Sequence, residues 1–177
     1  MSGHNKWSKI KRKKEITDGK KSKIFSKFAK LITVESKQVN GDINSPSLKS
    51  AIDQAKAVNM PADNITRAVK KGASTDAGNL EANIYEAYGP GGCGLIIETL
   101  TDSKNRLAVE IRHILSKNGL ELGRIGSVVW GFTKIENKWI PQNTLSLSDN
   151  DIKKTLKLID ELEDNEDVQE VFTNIAG

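Results

Sequence analysis

The chain is poor in the side chains that build disulfides and metal centres, because its 177 residues include one cysteine and two histidines. A single cysteine, Cys93, excludes an internal disulfide framework and suits a reducing compartment. His4 and His113 are widely separated from each other and from Cys93, a spacing that argues against a zinc site. We therefore expect neither a metal nor a cofactor.

Long hydrophobic runs are also missing, since no apolar stretch approaches the roughly 20 residues that a membrane span needs. No hydrophobic core of a secretory signal follows the N-terminus. The lysine-dominated opening also differs from an Arg- and Ser-rich mitochondrial transit peptide. We expect a mature cytoplasmic protein that does not contact membranes.

The sequence shows no constellation of catalytic side chains. Gly89–Gly92 resembles a phosphate loop only superficially, because it lacks the Gly-Lys-Ser/Thr ending and joins two predicted strands. Asp102 lies between a strand and a helix but has no partner base, nucleophile or metal cluster nearby, so helix capping explains it better. We expect a protein that is not an enzyme and has no small-molecule substrate.

What the chain does have is a strong separation of charge. Residues 1–37 contain 12 lysines and arginines and 3 acidic residues, although the whole chain has a net charge of +4. Residues 1–72, with 17 basic and 6 acidic side chains, carry +11, and residues 73–177, with 10 basic and 17 acidic, carry −7. Clustered lysine raises the encounter rate with phosphates and adds affinity through counterion release. This pattern predicts nucleic-acid binding by the N-terminal part, to DNA or to ribosomal RNA.

The predicted nucleic-acid-binding residues lie in a basic arm and in the helix that follows it. Trp7 is either an aromatic platform for an exposed base, worth about 1–3 kcal/mol in single-strand recognition, or an apolar anchor for the arm. His4 is either a phosphate or base-edge contact or a capping or surface residue. The predicted set consists of His4, Lys6, Trp7, Lys9, Lys11, Arg12, Lys13, Lys14, Lys20, Lys21, Lys23 and Lys27.

Helical periodicity predicts three helices after the arm. The first begins at Asp18 and ends near Asn40. Pro46, preceded by a serine cap, begins the second, and Pro61 begins the third, which Gly72 closes. The arm and these helices make up a predicted basic helical domain, residues 1–75.

Residues 80–177 change to strand-like alternation and predict an α+β domain. The order strand, strand, helix, strand, strand, helix, strand is ferredoxin-like with one additional strand. The first two strands flank the Gly89–Gly92 hairpin, and Asp102 or Ser103 caps the first helix. The predicted strands are 84–88, 94–101, 127–133, 138–141 and 168–172, and the predicted helices are 103–118 and 148–162.

The segment 160–170 contains seven acidic and no basic residues, and it is named the acidic segment below. A solvated acidic surface is the simpler interpretation. The alternative is that this segment docks against the basic arm or repels nucleic acid from that face.

Residues 3–11, Gly-His-Asn-Lys-Trp-Ser-Lys-Ile-Lys, resemble the opening of the YebC/PmpR family, which includes the mitochondrial translational activator of cytochrome oxidase. Asn5 stands where the family usually has serine. Further motifs follow the family's order over nearly the whole chain, at 59–72, 88–92, 101–106, 116–119, 122–128, 158–164 and 167–171. The resemblance implies a three-domain protein described as a probable transcriptional regulator, with some members linked to translation on the ribosome.

This chain departs from the family pattern in one place. The resemblance implies a further α+β domain at a point where this chain has only residues 133–138. We expect that this third domain is absent and that residues 80–177 form a single ferredoxin-like domain.

Asn105 and Arg106 belong to a family motif and are predicted to lie near a helix start. Whether these two residues contact a phosphate or a partner is left open by the sequence. The predicted function is a transcriptional regulator that binds DNA through the basic helical domain. The alternative is a translation factor that binds ribosomal RNA and assists elongation.

Overall fold

A computed structural model describes residues 18–75 and 78–177. The predicted basic arm lies outside the described residues. This applies to His4, Lys6, Trp7, Lys9, Lys11, Arg12, Lys13 and Lys14.

The N-terminal helical unit, residues 18–75, contains the three predicted helices. They are α1 (Asp18–Gln38), α2 (Pro46–Ala57) and α3 (Ala62–Ala73). Ser45 occupies the N-cap position before Pro46, and Pro61 occupies that of α3. Proline suits both places because its fixed φ is compatible with a helix start and its missing N–H leaves no helical bond unmade. The helical periodicity therefore predicted these elements correctly, to within a residue or two at their ends.

The helical unit is held together by a small apolar core and one very close helix contact. The fully buried side chains of Ile32, Leu48 and Ala55 bring α1 and α2 together. A Cβ on Gly72 of α3 would lie 2.4 Å from the carbonyl oxygen of Thr33. Glycine at this position lets α3 pack directly on the backbone of α1.

The α+β unit, residues 78–177, contains a three-stranded sheet, a separate hairpin and two helices. Strand β2 lies at the centre of the sheet, and both of its neighbours, β1 and β5, pair with it antiparallel. The α+β class is confirmed. The elements are β1 (Glu81–Tyr88), β2 (Gly94–Thr101), α4 (Lys104–Lys117), β3 (Phe132–Ile135), β4 (Lys138–Pro141), α5 (Asp149–Glu163) and β5 (Val168–Thr173).

The sheet differs from the ferredoxin-like expectation because β3 and β4 do not join it. They form their own two-stranded sheet. Burial explains this placement, since buried residues of β2 lie on both faces of the main sheet. Leu95 and Ile97 pack in the cluster that includes the helices, whereas Ile96 packs with Phe132 and with Trp139 of the hairpin. The hairpin therefore covers one face of the sheet instead of extending its edge.

The third strand also begins later than predicted. The sequence predicted a strand over 127–133, but Val129–Gly131 form a short 3₁₀ turn and the strand begins at Phe132. The N–H groups of Val128 and Val129 donate to the carboxylate of Glu86, at 2.7 and 2.8 Å, so they are not available to a strand partner. The Gly89–Gly92 connection between β1 and β2 is confirmed as a hairpin turn.

Candidate nucleic-acid interface

Four of the predicted nucleic-acid-binding residues lie within the described part of the chain, all on α1. Lys20 and Lys21 are exposed in the first turn of the helix. The ammonium of Lys21 lies 3.7 Å from the carboxylate of Asp18, an exposed pair of the kind that contributes little to stability. These two lysines follow the basic arm in the sequence and place positive charge on the exposed start of α1.

Lys23 and Lys27 have different surroundings, because they contact the acidic segment. Lys23 Nζ lies 2.7 Å from Asp164 Oδ2, and Lys27 donates to the backbone carbonyl of Glu163. Lys30, one turn further along α1, forms an ion pair with Asp167. These three lysines occur at spacings of four and three residues and therefore share one side of the helix. They are called the lysine face of α1 below.

The acidic segment thus meets a basic surface of the same molecule, the lysine face of α1. Docking of this segment against the basic arm, the alternative that the sequence left open, falls outside the described residues and stays a prediction. The sequence did not single out Lys30. The spacing of Lys23, Lys27 and Lys30 was the available signal, although it could not show which surface the lysines face.

Asp167 connects this contact to the α+β unit. Its side chain is only 6% exposed, and it accepts a hydrogen bond from the hydroxyl of Thr101 at 2.8 Å and one from Arg106 at 2.5 Å. Burial alone would raise the pKa of Asp167. Hydrogen bonds from Lys30, Thr101 and Arg106 outweigh that effect and hold its pKa below the ordinary value. Asp167 is therefore a stable anion at the junction of the two units.

Arg106 is surrounded by carboxylates of its own chain. Its guanidinium donates to Asp102 and to Glu110, both at 3.1 Å, as well as to Asp167. Of the two predicted caps of α4, Asp102 and Ser103, the structure shows Ser103, whose hydroxyl accepts the N–H of Arg106. Asp102 instead forms an ion pair with the side chain of Arg106. Asn105 is exposed in the first turn of α4. A phosphate or partner contact by Asn105 and Arg106 stays a prediction.

The end of β1 and the loop before β3 present two aromatic rings that sequence reasoning missed. Glu86 is 5% exposed and, besides its two bonds to the start of the 3₁₀ turn, accepts the N–H of Gly126 at 2.6 Å. The hydroxyl of Tyr88 and the indole N–H of Trp130 both donate to the carbonyl of Ser127, at 2.6 and 2.8 Å. Trp130 is nevertheless 71% exposed and Tyr88 47%. The loop is thus fixed by a buried carboxylate, while the rings of Tyr88 and Trp130 are exposed.

An open cleft of about 1960 Å³ lies between α1 and the α+β unit. Lysines line it from both sides, with Lys20 and Lys23 on α1 and Lys134 and Lys138 on the hairpin. Lys134 also contacts the carboxylate of Glu98 at 2.8 Å, so the charge of this cleft is mixed.

Within residues 18–75 and 78–177, no group of three or more histidine, cysteine or acidic side chains is arranged to hold a metal ion. Cys93 is buried, and burial raises the pKa of its thiol. None of the helices in the same ranges is long and apolar enough to cross a membrane.

Comparison with known proteins connects these features with a family. The model described as "TACO1/YebC protein N-terminal domain" matches residues 5–75. The model described as "TACO1/YebC second and third domain" matches 80–136 and 132–175. The two models together cover both described units.

Similar proteins carry a common name, "Probable transcriptional regulatory protein". One from Thermoanaerobacter pseudethanolicus is 39% identical over 238 aligned positions, which cover 99% of this chain and 97% of the relative. One from Desulfatibacillum aliphaticivorans is 48% identical over 178 positions, covering 99% of this chain and 71% of the relative. An alignment of 238 positions exceeds the 177 residues of this chain, so the first relative contains residues with no counterpart here.

A solved structure has the same overall fold. The crystal structure of a conserved hypothetical protein from Aquifex aeolicus superposes with a TM-score of 0.79 and 28% identity, over 89% of this chain and 91% of that one. The family models, the relatives and this fold agree, and the chain therefore belongs to the TACO1/YebC family.

Proposed function

We propose that this protein regulates transcription by binding DNA through its basic N-terminal helical unit, as a cytoplasmic binding protein and not as an enzyme. The observation that carries the proposal is the separation of charge, with +11 on residues 1–72 and −7 on the remainder. The shared name of the relatives supports the regulatory role.

The lysines supply the first part of the proposed mechanism. Lys20 and Lys21 on α1, together with the basic residues of the arm, contact backbone phosphates and release counterions. Such contacts fix the position of a protein on the duplex but carry no sequence information of their own. In the proposal, side chains of the arm such as His4 and Trp7 add contacts to bases.

The second candidate function is a translation factor that binds ribosomal RNA. The exposed rings of Tyr88, at the end of β1, and of Trp130, in the loop before β3, favour it, because unpaired bases of RNA stack on aromatic rings. Both polar groups of these rings already bind Ser127, which leaves the ring faces as the available surface.

We also propose that the residues present in the longer relatives and missing here form the third domain of the family, inserted between about 133 and 138. The two segments matched by the second family model meet at 132–136. In this chain, Glu136 and Asn137 both have positive φ, 51° and 104°, and connect β3 directly to β4. A two-residue turn of this kind closes a hairpin without any inserted structure.

One paired experiment separates the two functions. The protein is sedimented with purified ribosomes and, in parallel, passed over immobilised duplex DNA of mixed sequence, both at 100 mM salt. Retention on DNA without co-sedimentation supports the transcriptional role, and the reverse result supports the translation factor. A protein that neither sediments with ribosomes nor stays on DNA would contradict nucleic-acid binding as a whole.

A further inference from the structure

We propose that the acidic segment competes with nucleic acid for the lysine face of α1, so that binding a phosphate chain displaces it. This inference rests on the proposed nucleic-acid binding and adds a regulated surface to it. The face consists of Lys23, Lys27 and Lys30, and its intramolecular partners are residues 163–167.

The geometry resembles recognition of a phosphate backbone. The first and last of the three lysines are seven residue positions apart, about 10 Å along the helix axis. The acidic segment presents carboxylate and carbonyl oxygens along this length, from Glu163 and Asp164 to Glu166 and Asp167. Ser26, between the lysines, donates to the carboxylate of Glu166 at 3.3 Å. This row of carboxylate and backbone carbonyl oxygens satisfies the same ammonium groups that phosphates would bind.

The contact between the units is of a kind that can be displaced. Over the described residues, each of the three apolar clusters lies entirely within one unit, so none of them joins α1 to the α+β unit. The Lys23–Asp164 pair is well solvated, with side chains 38% and 55% exposed. Exposed ion pairs are weak and are screened by salt. The Lys30–Asp167 pair is less exposed, with side chains 22% and 6% exposed. A polyanion that offers several phosphates therefore replaces the contact from its solvated end, at Lys23.

The acidic segment also has partners that stay when α1 leaves. Asp167 keeps its bonds to Thr101 and Arg106, both in the α+β unit. The side-chain amide of Asn165 donates to Glu110 at 2.7 Å, and its oxygen accepts the N–H of Asp167 at 2.9 Å. The acidic segment thus keeps its partners within the α+β unit when the two surfaces separate, as a competitive exchange requires.

The test compares two double variants with the same change of charge. Asp164→Asn/Glu166→Gln removes two exposed carboxylates that face α1. Glu121→Gln/Glu136→Gln removes two exposed carboxylates elsewhere in the α+β unit. Affinity for labelled duplex DNA and for a labelled ribosomal RNA fragment is measured by fluorescence anisotropy between 50 and 200 mM salt. Single Asp164→Asn serves as a second variant if the double variant does not fold.

The first double variant is expected to bind nucleic acid about 3- to 10-fold more tightly than the wild type. Its log–log salt slope should be steeper by about one to three, because released lysines reach phosphates. The control should gain less than half as much. Equal gains in both variants, or no gain in the first, would overturn the competition while leaving nucleic-acid binding intact. Failure of all three proteins to bind would overturn the proposed function instead, and the competition with it.

Displacement is also measured directly by energy transfer between dyes on cysteines introduced at Ser50 of α2 and Lys153 of α5, both exposed. The buried Cys93 is replaced by serine in this background. Nucleic acid at saturation should change the transfer efficiency in the wild type. An unchanged efficiency at saturation would contradict displacement.

Discussion

At the scale of single residues, two buried carboxylates organise the α+β unit. Glu86 fixes the loop before β3, and Asp167 joins α4, β2 and α1. The sequence could not distinguish them from other acidic residues, because their partners lie 40 or more positions away. Composition and residue spacing describe neighbours along the chain and do not predict contacts between distant residues.

Replacing Glu86 by glutamine is expected to lower the free energy of unfolding by about 1–3 kcal/mol, since a buried charged acceptor of three N–H groups is lost. Urea denaturation followed by circular dichroism measures this change. Glu121→Gln, at an exposed position, is the control and should change stability by less than about 0.5 kcal/mol. Equal stability of the two variants would contradict the role of Glu86.

The lowered pKa of Asp167 predicts how stability depends on pH. Its folded pKa lies below the unfolded value near 3.8, so the unfolded chain binds the proton first as the pH falls. The stabilisation is therefore complete above that unfolded value and is lost as the pH falls through the lower, folded pKa.

Urea titrations from pH 6 to pH 2 of the wild type and Asp167→Asn test this linkage. The difference in unfolding free energy between the two proteins should be largest at pH 6 and should shrink towards pH 2. A difference that stays constant over the whole range would show that the charge of Asp167 does not stabilise the fold.

At the scale of elements, the sequence predicted the positions of the helices better than the pairing of the strands. Helices α1, α2 and α3 follow from apolar spacing and from Pro46 and Pro61, which act within a few residues. The separate β3–β4 hairpin did not follow, because strand alternation does not specify which edge or face a strand covers.

The close packing of α3 on α1 predicts opposite effects for two glycine substitutions in helices. Gly72→Ala should lower the free energy of unfolding by about 1–3 kcal/mol, because the new methyl group would lie 2.4 Å from the backbone of Thr33. Gly19→Ala should keep or raise stability, by up to about 1 kcal/mol, since nothing lies within 4 Å of its added Cβ and alanine favours helix. Thermal melts of both variants measure the effects. A stabilised Gly72→Ala protein would refute the close contact.

At the scale of the whole molecule, the charge separation is the feature that the sequence shows most directly. Counting side chains is sufficient to find +11 on residues 1–72 and −7 on the remainder. Counting charges could not show that Lys23 and Lys27 contact the acidic segment, because these contacts join residues about 140 positions apart. The fold shows that part of the predicted binding surface already has an anionic partner.

The most direct measurement is the salt-dependent affinity for DNA or ribosomal RNA of two charge-reversed proteins. Lys11→Glu/Arg12→Glu/Lys13→Glu reverses the arm, and Lys153→Glu/Lys154→Glu/Lys157→Glu makes the same change on an exposed part of α5. For about six phosphate contacts, wild-type affinity should fall roughly 10³-fold or more between 50 and 200 mM salt. The account predicts that reversal of the arm abolishes binding while reversal on α5 leaves most of it. Unchanged binding after reversal of the arm would contradict the central claim.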